Sequence, residues 1–273
     1  MDRNTEEITQ RSTYESVSKY GYADAILCTA LDVGEGLLRS GAEITRVEDT
    51  ITRICRHYGA VHVEVFSITS LIIASVRLED GSYSNQNRHV PTTSNNLHRL
   101  QIYNGISREI CVGNLTIEEA QKKLYEAKRS MPYGNWGVYL GAVLASGGFA
   151  VFFGGSWFDF IPTALIGIIM TYFDFHHPKY INSLALSVIS SFIAGVLAIL
   201  CVKFGFGDNV DKIMIGTIML LIPGIDIGNS LRDLLCGDIV SGSIRLIKAL
   251  LTASAIAVGY SIAVMAGGAL NVL

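Results

Sequence analysis

Apolar positions along the chain follow two rhythms. From about Tyr14 they recur at helical spacing (Val17, Tyr20, Ile26, Leu27, Leu31, Leu37, Leu38), which predicts a long amphipathic helix closed at Gly41 by a left-handed cap. A second helix is predicted from Glu43 to Tyr58, with Ile44, Val47, Ile51 and Ile54 on one face and Gly59 at its end. The period then drops to two. Val61, Val63 and Val65 alternate with His62, Glu64 and Phe66, and the β-branched run from Leu71 to Leu78 stops at Glu79-Asp80-Gly81. These are two strands and a hairpin turn, with a weaker strand near Tyr83 to Val90. Pro91 ends that strand. Asn95 or Asn96 caps a helix to Cys111, and Thr116 followed by Glu118 and Glu119 opens another through Arg129. The prediction is an α+β domain over residues 1–135.

From Trp136 onward the alternation gives way to long apolar runs. Five segments are read as spans: Trp136 to Phe153, Phe158 to Phe173, Ile181 to Val202, Ile213 to about Ile227, and Ile244 to Met265. The fourth is broken by Pro223-Gly224, so a straight crossing is not expected there. The predicted fold class is thus an α+β cytoplasmic domain followed, over residues 136–273, by an all-α polytopic membrane domain of five transmembrane helices. Small residues recur every four positions (Gly137, Gly141, Ala145; Thr163, Gly167, Thr171; Ser183, Ser187, Ser191; Ala249, Ala253, Ala257, Ser261), the pattern of helix packing faces.

Composition agrees with two solvents. Half of the residues are hydrophobic and 16% are charged; of 21 basic and 24 acidic residues, about 32 precede Trp136, and no glutamate follows Glu126. A net charge of -3 leaves no basic surface for nucleic acid. The polar, acidic start lacks the pattern of a cleaved signal. Five dispersed cysteines without a CxxC pair read as small core residues in a reducing compartment. Lys122, Lys123, Lys128 and Arg129 precede the first span, Lys179 lies between the second and third, and Arg232, Arg245 and Lys248 flank the connection from fourth to fifth. The opposite loops hold only Lys203 and Lys212. By the positive-inside rule the protein is a multi-pass plasma-membrane protein with its N-terminal domain in the cytoplasm and Leu273 outside.

Candidate chemistry falls in two places. In the first half Glu35, Glu43, Glu48 and Asp49 lie beside Arg39, Arg46 and Arg53, an arrangement open to anion binding or acid–base work. Glu35 with Arg39 and Asp49 with Arg53 also read as four-residue helical ion pairs on a solvated face, the favoured reading. Cys55, His57, His62 and Glu64 lack a repeated ligand spacing, so no metal or cofactor is expected. GxSxG, P-loop and HExxH motifs are absent. In the second half the stretch LLIPGIDIGNSLRDLLCGDIVSGSIR follows its helix breaker, Pro223-Gly224, with Asp226, Asn229, Arg232, Asp233, Asp238 and Arg245. Such charge beside apolar spans marks either a substrate or proton site or an ordinary solvated loop. In the first case Arg232 would meet a carboxylate, and Asp226 or Asp233 an amine or a coupling proton.

The stretch GEGLLRSGAEITRVEDTI (Gly34 to Ile51), together with PGIDIGNSLRDLLCGDIVSGSIR (Pro223 to Arg245) and FFGGSW (Phe152 to Trp157), resembles the threonine/serine exporter family, in particular its N-terminal unit of a cytoplasmic domain and five spans. The resemblance extends from about Ala25 to Met265. It implies export of small polar metabolites driven by the proton-motive force: threonine and serine in some members, dicarboxylates such as succinate in others. Full-length members carry a second block of spans. A chain ending at Leu273 then implies a second small membrane subunit, with a homo-oligomer as the alternative. Two rival readings remain: a membrane-anchored hydrolase-like enzyme using Glu43, Glu48 or Asp49, and a ligand-sensing module. Five spans exceed what an anchor requires, so the protein is not read as an enzyme.

Overall fold

A computed structural model of the protein describes residues 21–91, 93–113, 115–129, 135–176 and 182–269. Tyr14, Val17 and Tyr20 of the predicted first helix, Lys179, and Leu273 lie outside these residues. In chain order the elements are α1 (Tyr22–Arg39), α2 (Ile44–His57), β1 (Ala60–Ile68), β2 (Leu71–Leu78), β3 (Tyr83–His89), α3 (Leu97–Gly113), α4 (Ile117–Arg129), α5 (Asn135–Phe152), α6 (Trp157–His176), α7 (Ser183–Lys203), α8 (Val210–Leu221), α9 (Gly224–Leu235) and α10 (Ile239–Ala269).

The expected fold class does not hold. Among the described residues ten helices accompany one small three-stranded sheet, so the chain is mainly helical rather than an α+β domain followed by five spans. Among the described residues three helices are long and apolar enough to cross a membrane: Trp157–His176, Ser183–Lys203 and Ile239–Gly268. Trp136–Phe152 is apolar but shorter. Helix α8 has 12 residues, about 18 Å of rise against a hydrocarbon core of about 30 Å. Apolar runs were counted along the sequence, whereas a span is limited by where its helix stops. Helix α5 ends at Phe152, before Gly154 with φ +91 and within one residue of the expected end, and is itself short for a crossing. Ile222, extended at ψ 128 as a residue before proline should be, ends α8.

The described residues pack as two compact units. One comprises those up to 129 together with Ile225–Leu246; the other comprises those from 135 to Gly224 and those from Ile247 onward. In the first, α1 lies at the centre, packed by α2, β2, β3, α3 and α4. Ile26, Leu27, Leu31, Leu37 and Leu38 are fully buried, each side chain contributing about 1.5–3 kcal/mol. Gly36 lets α1 approach the Tyr103 ring where a methyl group would collide. The sheet is antiparallel in the order β1-β2-β3, and its middle strand buries Ile72, Ala74, Val76 and Leu78 by strict alternation. A register shift between Ala60 and His62 marks a bulge. The predicted caps are realised. Gly41 has φ +91, its N–H donates to the Leu38 carbonyl and that of Ala42 to Leu37, a Schellman motif. Asn96 accepts from the Arg99 amide, while Thr116 and Glu119 form a reciprocal capping box.

In the second unit α8 packs against α5, α6 and α7. The approach is close: a Cβ on Gly216 would lie 2.6 Å from the Ser146 carbonyl oxygen. Of the predicted packing stripes, Thr163, Gly167, Ser191 and Ala249 are buried, whereas Gly137 and Gly141 are exposed. The fully buried Asp159 joins two connections: it accepts from the backbone and hydroxyl of Ser156, from the amides of Asp208 and Asn209, and from the Asn209 side chain.

Candidate functional site

Pro223 has no amide hydrogen and fixes its own φ, so the apolar run restarts as α9 with Asp226 in its first turn, where a helix favours negative charge. Gly237, φ +95, closes α9: its amide donates to Leu234 and that of Asp238 to Asp233. Asp238 in turn accepts through its carbonyl from the Gly242 amide, starting α10. The Leu220–Arg245 stretch is therefore a helix, a glycine turn and a second helix head. Four of its six polar side chains, those of Asn229, Arg232, Asp233 and Arg245, share one target.

That target is the Ser40–Ile44 turn between α1 and α2, about 190 residues earlier in the chain. Asn229 Nδ2 donates to the Gly41 carbonyl at 3.0 Å, and Arg245 Nη2 to the Ala42 carbonyl at 2.8 Å. Arg232 Nη1 donates to Glu43 Oε1 at 2.8 Å. The Ile44 amide, first of α2, donates to Asp233 Oδ1 at 3.4 Å, and the Thr45 hydroxyl to Asp238 Oδ2 at 3.0 Å. Asn95 Nδ2 donates to Asp226 Oδ1 at 3.2 Å. Gly41 serves this arrangement twice: φ +91 turns the chain, and a Cβ there would lie 2.6 Å from Asn95 Oδ1.

The centre of the cluster is Asp233 with Arg245. The Asp233 residue is 1% exposed, and Arg245 Nε lies 3.6 Å from Asp233 Oδ2, close enough for charge attraction but beyond a hydrogen bond. Asp233 Oδ2 is the buried side-chain atom left without a hydrogen-bond partner among the described residues. Burial raises the Asp233 carboxyl above the usual carboxylate range; Arg245 and the Ile44 amide pull it back, and Asp238 and Glu43 add to the rise. The arrangement can hold a proton on Asp233 and can exchange the Glu43 carboxylate on Arg232, whose side chain is 59% exposed, for another carboxylate.

All six predicted residues of the Leu220–Arg245 stretch thus enter one network, and of the Gly34–Ile51 motif so do Gly41 and Glu43. The others do not. Glu35 pairs with Arg39 at 2.8 Å and Asp49 with Arg53 at 2.9 Å, both four-residue helical pairs. Glu48 accepts from the Ser67 amide and hydroxyl, pinning α2 to β1, and burial raises its carboxyl. Arg46 is exposed on α2. Sequence reasoning missed Thr45, Asn95 and the Ala42 carbonyl; only the glycine at the turn signalled that backbone groups would be offered there. No group of metal-binding side chains occurs among the described residues.

Compared with known proteins, residues 29–266 match the family model for the threonine/serine exporter. A threonine/serine exporter of Corynebacterium glutamicum is 25% identical over 260 residues, covering 91% of this chain and 52% of the relative. A probable threonine/serine exporter of Mycobacterium tuberculosis is 22% identical, covering 87% and 45%. The chain spans about half the length of these two relatives. A probable succinate transporter subunit, YjjP, of Klebsiella aerogenes is 25% identical over 242 residues, covering 85% of this chain and 90% of the relative. No solved structure matches the chain.

Proposed function

Since the chain belongs to the threonine/serine exporter family, we propose that it is a subunit of a membrane exporter for a small polar metabolite, a hydroxyl amino acid or a dicarboxylate. Transport is driven by the proton gradient and completed by a second membrane subunit. The names of its relatives support the substrate class, and alignment over 90% of a relative named as a transporter subunit supports the partner. Lys122, Lys123 and Lys128 ahead of Trp136, and Arg245 and Lys248 in the head of α10, support a cytoplasmic position for the first unit.

The observation that carries the mechanism is the buried, incompletely bonded Asp233 beside Arg245. Of the two acids considered as proton carrier, Asp233 fits better, because Asp226 is half-buried and bonded by Asn95. Release of the proton from buried Asp233 leaves a charged carboxylate short of donors and loosens α9 from the α1–α2 turn, because the docked form holds that proton more tightly than a solvated carboxyl does. Arg232 then leaves Glu43 for a carboxylate of the substrate, and Asn229 supplies an amide donor. The test is efflux of labelled threonine or succinate from loaded proteoliposomes, with and without the partner subunit. Export that needs both the partner and a proton gradient, and that loses its gradient dependence in Asp233→Asn, is expected; gradient-independent export by the parent would reject the mechanism.

A further inference from the structure

A second constellation lies in the first unit, along one face of α2. Arg46, Asp49 and Arg53, at positions i, i+3 and i+7, share one helical face, and Asn104, Ser107 and Arg108 of α3 stand opposite across a concavity of about 300 Å³. None of these residues belongs to the α9 network, and Asp49 is the one acidic side chain in the lining. It is taken: Asp49 binds Arg53 through both oxygens, Oδ1 to Nε at 3.0 Å and Oδ2 to Nη2 at 2.9 Å. This fork fixes the orientation of Arg53. Among the described residues Arg46 and Arg108 have no acidic partner, so the groove carries two uncompensated guanidinium charges. Asn104 and Ser107 add neutral polar groups to the lining, the Ser107 hydroxyl donating to the Asn104 carbonyl at 3.0 Å. Cys111 and Val112 add apolar surface to the lining.

We propose that this groove binds a small organic dianion, each acid group meeting one free guanidinium. Guanidinium groups suit the task because their planar fork meets a carboxylate or phosphate with two parallel hydrogen bonds. The volume is at the lower end of the range of small-metabolite sites. Binding here bears on the network described above through α2 itself: Arg46 lies two residues beyond Ile44, whose amide holds Asp233, and next to Thr45, whose hydroxyl holds Asp238. A ligand bridging Arg46 to α3 anchors the head of α2, on which that network rests. The groove is thus a regulatory site, and its existence does not depend on the exporter reading.

The test titrates the full chain in detergent micelles with succinate, inorganic phosphate, acetate and sodium chloride at matched ionic strength, reading thermal unfolding and calorimetric heat. Succinate and phosphate are expected to give a saturable rise in melting temperature and acetate and chloride none. A preference for succinate identifies two separated carboxylates as the ligand chemistry, and one for phosphate a phosphoryl group. Arg46→Gln or Arg108→Gln is expected to weaken binding about tenfold each, and the double variant to abolish it. Arg232→Ala, which strikes the α9 network, should retain the saturable event. No saturable effect on the parent, an equal effect of chloride, or unchanged binding in the double variant overturns the proposal. Binding lost in Arg232→Ala but kept in the double variant overturns it as well and assigns the dianion to the α9 network.

Discussion

Removing Arg245 tests the energetics at the centre of the network. Arg245→Ala leaves Asp233 buried without a cation and the Ala42 carbonyl without its donor. Breaking a buried pair from one side costs about 3–5 kcal/mol, and the lost hydrogen bond about 1 kcal/mol. Asp233 has an escape, since it can take up a proton. For a carboxyl of ordinary pKa about 3.9 that costs at most about 4 kcal/mol at pH 7, which caps the charge part of the penalty. The sign follows from the raised pKa of the folded state. The folded form holds the proton more tightly than the unfolded form, so its relative stability is full below the unfolded value and is lost as pH rises through the folded one. The slope reaches about 1.4 kcal/mol per pH unit between them. Arg245→Ala widens that window upward. The assay is thermal unfolding in micelles from pH 5 to pH 8 for the parent, Arg245→Ala, and Arg245→Ala with Asp233→Asn. The single variant is expected to melt lowest at pH 8 and to recover on acidification, and the double variant to be less destabilised at pH 8 and nearly flat with pH. Identical pH profiles for the single and double variants would refute the argument that Asp233 is held charged by Arg245.

Three further outcomes follow from the geometry. Arg232→Ala is expected to raise the substrate concentration for half-maximal export about tenfold or more while membrane insertion is kept, as read by efflux kinetics; an unchanged value removes Arg232 from the site. Gly41→Ala should cost about 1–3 kcal/mol through left-handed strain, with a further loss from the contact at Asn95, measured as a drop in melting temperature; a melting temperature equal to that of the parent would mean the turn is not held at φ +91. Cysteines at positions 155 and 206 should react with an impermeant reagent from one side of the membrane and a cysteine at position 122 from the other; label on all three from outside would invert the proposed orientation.

The first unit was legible because its signals are local. Gly41, Gly59, Thr116 with Glu119, and the alternation through Leu71–Leu78 each act over a few residues, and each is realised. The span count was not, since hydropathy measures a run while helix length depends on its ends: the apolar run that begins near Ile213 stops as a helix at Leu221, before Pro223. The candidate site was half legible. Charge density singled out Asp226 to Arg245 as candidates, and helical spacing singled out the turn at Gly41. Their union was not readable, because Asn229 and Arg245 bind backbone carbonyls, which carry no mark in a sequence. The favoured helical pairs Glu35–Arg39 and Asp49–Arg53 are realised.

Asp159 bears on the order in which the protein is made. Its carboxylate is completed by Asp208 and Asn209, about 50 residues later in the chain. At a synthesis rate of about 5–20 residues per second, those amides leave the ribosome roughly 3–10 seconds after it. Through that interval the nascent segment holds a carboxylate with only the Ser156 donors available, and leaving it in lipid would be costly. The α6 segment is therefore retained at the insertion machinery or the interface until the connection before α8 emerges, and the two are released into the bilayer as one piece. A chain truncated between residues 180 and 205 should remain bound to the insertion machinery, whereas one truncated at residue 225 should be released.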